Sequence, residues 1–162
     1  MSQPQPEGAG CLITLPISVP AAEAFEAMCD FPNAPKRIPA IKRIEMLTDG
    51  PARLGTRFRE TRTMFGREAT ETMEVTRFES GRMYELTAKS CGCLYRSEIR
   101  VEPRGPQACE LSMSFRALPQ TFFAKIMGFL MKGMLKACQK MMKKDLEEMK
   151  RSLEASRTAP GR

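Results

Sequence analysis

The sequence predicts an α+β fold: a curved antiparallel β-sheet of about seven strands wrapped around one long C-terminal α-helix, with two short helices after the first strand. Three observations predict it. Between residues 41 and 117, segments of alternating polarity are separated by short turn signals. From Thr121 to about Ser156 the apolar residues instead recur every three or four positions, without proline. Between the first apolar segment and this region lie two short stretches with helical and turn character.

Residues 1–10 are polar and rich in Pro, Gly and Gln, which suits a flexible N-terminal tail. Residues 11–154 are read as a single domain and 155–162 as a flexible C-terminal tail. Cys11 to Ile17 is a short apolar strand. Pro20 suits the first turn of a helix over Ala21 to Met28, where Ala-Glu-Ala-Phe-Glu-Ala has strong helix propensity. Asp30 is expected to cap a second short helix or turn reaching Arg37, kept short by Pro32, Pro35 and Pro39.

The expected strands are Ile41 to Leu47, Thr56 to Phe65, Glu68 to Phe78, Met83 to Ser90, Leu94 to Glu102 and Cys109 to Ala117. Asp49-Gly50-Pro51, Gly66-Arg67, Ser80-Gly81, Gly92 and Arg104-Gly105-Pro106 break them. Links this short join antiparallel neighbours, because parallel strands need long crossovers. From Thr121, a plausible N-cap, to about Ser156, one helical face carries Phe123, Ile126, Met127, Leu130, Met134, Cys138, Met141 and Met142. Such a helix would reach on the order of 50 Å against about 33 Å for a ten-residue strand, so its last turns should overhang the sheet or fray. Gly128 and Gly133 mark a bend or a close contact.

The chain has 162 residues, enough for one domain with a substantial core. Its formal charge of +7 suits nucleic acid, an anionic membrane surface, an anionic ligand or simply a solvated basic surface. Met1 to Gly10 lacks a basic start and an apolar core, and the most apolar stretch, Phe122 to Cys138, is interrupted by Lys125, Lys132 and Lys136. A cytoplasmic protein with six reduced cysteines is therefore expected. Histidine is absent, which excludes Ser-His-Asp and Cys-His catalysis and removes the commonest nitrogen ligand of zinc. No metal site or cofactor is expected.

The order of elements and several strings resemble the SRPBCC superfamily, which includes START domains, birch-pollen-allergen-like proteins and the polyketide cyclase/dehydrase group. The strings are Ile17-Ser-Val-Pro-Ala-Ala-Glu-Ala-Phe-Glu-Ala-Met, Leu54-Gly-Thr-Arg-Phe-Arg-Glu-Thr, Glu71-Thr-Met-Glu-Val-Thr-Arg-Phe-Glu and Arg82-Met-Tyr-Glu-Leu, followed by the C-terminal helix. The resemblance spans residues 11 to 154. It implies a helix-grip fold with a cavity between sheet and helix, in which such proteins bind lipids, sterols, polyketides or other apolar molecules. A minority catalyse cyclisation, dehydration or hydrolysis. The superfamily shares no catalytic motif, so no catalytic residue is carried over.

Strand alternation proposes the inward faces. Phe58, Glu60, Arg62 and Met64 share one; Ala69, Glu71, Met73, Val75 and Arg77 share the next. Tyr84, Leu86 and Ala88 follow, then Tyr95, Ser97, Ile99 and Val101, then Cys109, Leu111, Met113 and Phe115. Ligand contacts are assigned to these faces (Phe58, Glu60, Arg62, Met64, Glu71, Met73, Tyr84, Leu86, Tyr95, Ile99, Leu111, Met113, Phe115) and to Phe123, Met127, Leu130 and Met134 on the helix.

Glu60, Arg62 and Glu71 are either a polar anchor inside an apolar pocket or a salt-bridge cluster at the sheet's edge. A one-residue bulge would turn them outward. In an enzyme, Glu60 or Glu71 with a raised pKa is the candidate acid or base, with Tyr84 or Tyr95 as polar partner. Methionine-rich walls adapt to varied apolar shapes, or pack an ordinary core. Cys91-Gly92-Cys93 offers two thiols at an expected hairpin tip, as a redox or soft-metal pair or as plain exposed thiols.

Lysines from Lys140 to Arg151 complement the helix C-terminus. With Phe122 to Leu135 they would also allow a transient membrane-surface contact. No nucleic-acid motif appears. The expected partner is a small hydrophobic ligand, on a monomer or homodimer. The alternatives are a cyclase or dehydratase using cavity carboxylates, and a protein-interaction module without ligand.

Overall fold

The computed structural model of the chain describes residues 9–122 and 131–158. Strand β1 (Ala9–Ile17) leads to helix α1 (Ala21–Cys29), a 3-10 turn (Phe31–Asn33) and helix α2 (Ala34–Arg37). Six strands follow: β2 (Ile41–Met46), β3 (Arg57–Met64), β4 (Arg67–Glu79), β5 (Met83–Ser90), β6 (Cys93–Pro103) and β7 (Cys109–Pro119). Helix α3 (Met131–Thr158) ends the described chain. The seven strands form one antiparallel sheet in the order β1-β7-β6-β5-β4-β3-β2. Each neighbouring pair but β1–β7 is a hairpin, as the short turn signals require. Sheet plus long C-terminal helix is the helix-grip fold.

Burial along α3 positions the site. Met142, Leu146, Met149 and Leu153, spaced by four, three and four residues, are buried against the sheet's concave face. Nearer the start of α3 burial decreases, and Met134 is 43 % exposed. The core therefore fills one end of the grip, with Ile17, Phe25, Phe58, Val101 and Leu111 among its members, and leaves space at the other. The end of α3 is anchored through Leu153 and Glu154, and the last helical residues, 155–158, are exposed beyond that point. Leu153 is buried, the Glu154 carboxylate accepts from the Ser18 amide at 2.8 Å, and Lys150 donates to the Pro16 carbonyl at 2.7 Å. Residues 155–158 continue the helix, and Ala9 and Gly10 belong to β1. The expected helical positions Phe123, Ile126, Met127, Gly128 and Leu130 lie outside the described residues.

Two local readings are corrected. Asp30 makes no capping bond to the backbone, because its carboxylate instead accepts from the Asn33 amide at 3.0 Å and the Arg37 guanidinium at 3.1 Å. Arg77 does not share the inward face of β4. A bulge between Val75 and Arg77 shifts the alternation, so Phe78 turns inward to within 5.9 Å of the Phe25 ring while Arg77 pairs outside with Glu98 at 3.3 Å. Among the described residues, no helix is long and apolar enough to cross a membrane.

Candidate functional site

The space between sheet and helix is a cavity of about 260 Å³. Its sheet wall is built by alternation: Phe58, Glu60, Arg62 and Met64 from β3, Glu71 and Met73 from β4, Tyr84, Leu86 and Ala88 from β5. Tyr95, Ser97 and Ile99 from β6 and Met113 and Phe115 from β7 complete it. The opposite wall is Met134, Cys138, Met141, Met142, Asp145 and Met149 of α3. Met28, Phe31, Ala34 and Ile38 close one side, with Ile41 and Ile44 of β2.

Of the residues assigned from the sequence, Leu111 does not reach the cavity; it is wholly buried in the core. It shares a face with Met113, but alternation specifies the face and not the depth along it. Phe123, Met127 and Leu130 lie outside the described residues. The cavity also takes in Asp145, Cys138 and Met149, which are not among the contacts assigned from the sequence. The signal was present: 138, 141, 142, 145 and 149 follow helical spacing, and Asp145 interrupts an apolar stripe.

Asp145 changes the electrostatics. No bulge disturbs the β3–β4 ladder, so Glu60 and Arg62 point inward, with Glu71 directly opposite Glu60. The Arg62 guanidinium donates to Asp145 Oδ2 at 2.5 Å and to Glu60 Oε1 at 3.4 Å. All three side chains are at most 15 % exposed. Burial pushes the Glu60 and Asp145 carboxyls above their ordinary range, and Arg62 pulls against that shift. Two carboxylates share one cation, so the cluster carries a net negative charge unless one holds a proton. Arg62 Nε is buried and has no hydrogen-bond partner.

The two tyrosines differ. Tyr84 donates its hydroxyl to the Met28 carbonyl at 2.9 Å, its ring stands edge-on to Phe31 at 5.5 Å, and burial holds its pKa well above the ordinary value. It ties α1 to the sheet. Tyr95 is half-buried and stacks on Phe115 at 5.8 Å; burial, then the neighbouring Cys93, push its pKa up to about 12. Cys91 and Gly92, at φ 50° and 73°, form the tight β5–β6 turn, with Cys91 exposed and Cys93 buried. The β3–β4 turn repeats this with Phe65 at φ 51°. Phe65 is 58 % exposed and lines the cavity's mouth.

Residues 13–154 match the family described as polyketide cyclase/dehydrase and lipid transport. Solved structures similar to the chain include the Zhui aromatase/cyclase of a Streptomyces species, at TM-score 0.78 and 14% identity over 96% of this chain and 99% of that one. A START superfamily protein of Mycobacterium smegmatis gives 0.73 and 13% over 91% and 98%. A norcoclaurine synthase variant of Thalictrum flavum gives 0.66 and 17% over 95% and 100%. No curated protein matches by sequence. At these identities the solved structures carry the fold, and the family match carries the membership. With a seven-stranded helix-grip sheet and that match over most of its length, the chain belongs to the polyketide cyclase/dehydrase and lipid-transport family of the SRPBCC superfamily.

Proposed function

We propose that the protein binds a small, mainly apolar molecule bearing a neutral oxygen group, held in the cavity between sheet and α3. The observation that carries this reading is the buried Glu60–Arg62–Asp145 cluster set into a mainly apolar wall that also carries Glu71. Apolar walls supply affinity, and a few placed polar groups orient the ligand. The unpartnered Arg62 Nε–H offers a donor, and a protonated Glu60 offers a second. Both suit a carbonyl or phenol oxygen. A ligand carboxylate would add charge beside two acids that already share one cation, so a fatty acid fits less well.

The volume, about 260 Å³, lies near the low end of ligand pockets (roughly 300–1,000 Å³) and suits one or two rings. Eight methionines line the described part of the cavity and give it an adaptable wall. Exposed Phe65 and Met134 at the mouth suit ligand exchange at an apolar surface. Six free thiols suit a reducing compartment.

Calorimetric titration with a panel of phenols, aromatic ketones and fatty acids tests this. Binding of the neutral aromatics, lost in Leu86→Trp with the fold intact by circular dichroism, is the expected result. Fatty acids binding in preference to neutral aromatics would overturn the ligand class, and no binding at all would overturn the reading.

One observation favours a second reading, a cyclase or dehydratase: Glu60, with its raised pKa, sits beside a cation that can stabilise an enolate. Glu60→Gln would then retain ligand binding yet lose turnover of a poly-β-ketone substrate.

A further inference from the structure

Glu71 is the charge that the cavity leaves over. It lines the sheet wall directly opposite Glu60 in the β3–β4 ladder and is half-buried. Like charges so placed destabilise a sheet unless something offsets them. The described lining residues hold three carboxylates, Glu60, Glu71 and Asp145, and one cation, Arg62. That cation is already taken: it donates to Asp145 at 2.5 Å and to Glu60 at 3.4 Å. Among the described residues, Glu71 has no hydrogen bond or ion pair. A proton on Glu60, which burial favours, would let Arg62 and Asp145 balance each other, but it would bring no partner to Glu71.

We propose that the ligand carries a protonated amine held by the Glu71 carboxylate, which makes the ligand class a small aromatic amine bearing the oxygen group described above. This rests on the cavity reading and adds a second polar group to the ligand. The missing counter-charge selects the group. A hydrogen bond between two ionised partners is roughly twice as strong as one between neutral partners, and an apolar surround strengthens it further. No group of three His, Cys, Asp or Glu side chains is placed to cage a metal ion among the described residues, so the counter-charge that fits is organic.

The walls agree with that choice. Tyr95 and Phe115 stack at 5.8 Å in the same lining, and aromatic faces attract cations. The register sets the spacing between the two polar points. Arg62 pairs with Ala69, so Glu71, two residues on, is its diagonal neighbour. Such neighbours on one sheet face lie about 7–8 Å apart. A phenol with a short amino arm bridges that separation, with its oxygen toward Arg62 Nε and its ammonium toward Glu71. The same spacing keeps the ammonium clear of the guanidinium.

Calorimetric titration of the full chain at neutral pH with tyramine and with tyrosol tests it, because the two phenols differ only in ammonium against hydroxyl. Tyramine should bind at least about tenfold more tightly. Glu71→Gln, which keeps the shape and removes the charge, should bring the two affinities within about twofold of each other. A merely structural fault would weaken both and keep their ratio. Glu68→Gln, at an exposed carboxylate outside the cavity, should leave the ratio as it was. Tyrosol binding as tightly as tyramine would overturn the amine while leaving the cavity reading in place. A ratio unchanged in folded Glu71→Gln, or lost in Glu68→Gln instead, would overturn the assignment to Glu71. Binding of neither phenol would overturn the cavity reading and this inference with it.

Discussion

Replacing Arg62 by methionine should destabilise the protein far more at neutral than at acidic pH. The guanidinium is the cation paired with both Glu60 and Asp145, and the three side chains are 15 %, 10 % and 8 % exposed. Removing one member of a buried ion pair typically costs about 3–5 kcal/mol, because the remaining charge is left without compensation. For a domain of this size that is roughly 6–20 °C in Tm.

The pH dependence follows from the direction of the shifts. Glu60 and Asp145 are raised above their ordinary values by burial, against the pull of Arg62. A carboxyl raised in the folded state contributes stability that is fully present below its unfolded value, near pH 4, and is lost as pH rises through the folded value. Without Arg62 both shifts grow, so the variant loses more on the way from about pH 5 to about pH 7 than the wild type. Urea melts at the two pH values measure this. The triple variant Glu60→Gln, Arg62→Met, Asp145→Asn should recover much of the loss, since no uncompensated charge remains. An equal loss at both pH values, or a triple variant as unstable as the single one, would refute a shared buried cluster.

Three further outcomes are expected. Tyr84→Phe leaves the Met28 carbonyl without its partner and should cost about 1–3 kcal/mol in urea unfolding; a neutral effect would show that the carbonyl finds another donor. The chain has two tyrosines and no tryptophan, so near-UV absorbance should resolve Tyr95 ionising at about 12 and Tyr84 only on unfolding. Two steps near the ordinary tyrosine value would contradict their burial. Leu111→Ala should cost about 2–5 kcal/mol without weakening ligand binding, while Met113→Ala, on the cavity wall, should weaken binding for a smaller loss of stability.

Alternation made the strands legible within a residue or two, because each has one wet and one dry face. What it could not supply is where that phase breaks. The bulge beyond Val75 left no glycine or proline to mark it, so Arg77 and Phe78 exchange faces without a local sign. Alternation also has no depth: Leu111 and Met113 look equivalent in sequence, yet one is core and the other cavity wall. Asp145 was obscured by its neighbours, since a carboxylate among lysines reads as a solvated helix face until its register with Met141 and Met149 is followed. The Cys11–Met142 contact spans 131 residues of sequence, and no local pattern encodes it.

The place of β1 beside β7 also governs how the chain is made. Ala9 pairs with Ala117 and Ile17 with Cys109, so β1 leaves the ribosome roughly 100 residues ahead of its partner. At ordinary translation speeds it waits on the order of 5–20 s. For that interval Ile13, Leu15 and Ile17 hang in solution with neither sheet nor helix to cover them. Until β7 emerges the nascent domain is thus most vulnerable at β1, and a holdase that reads short apolar strands would find its target there before the grip can close.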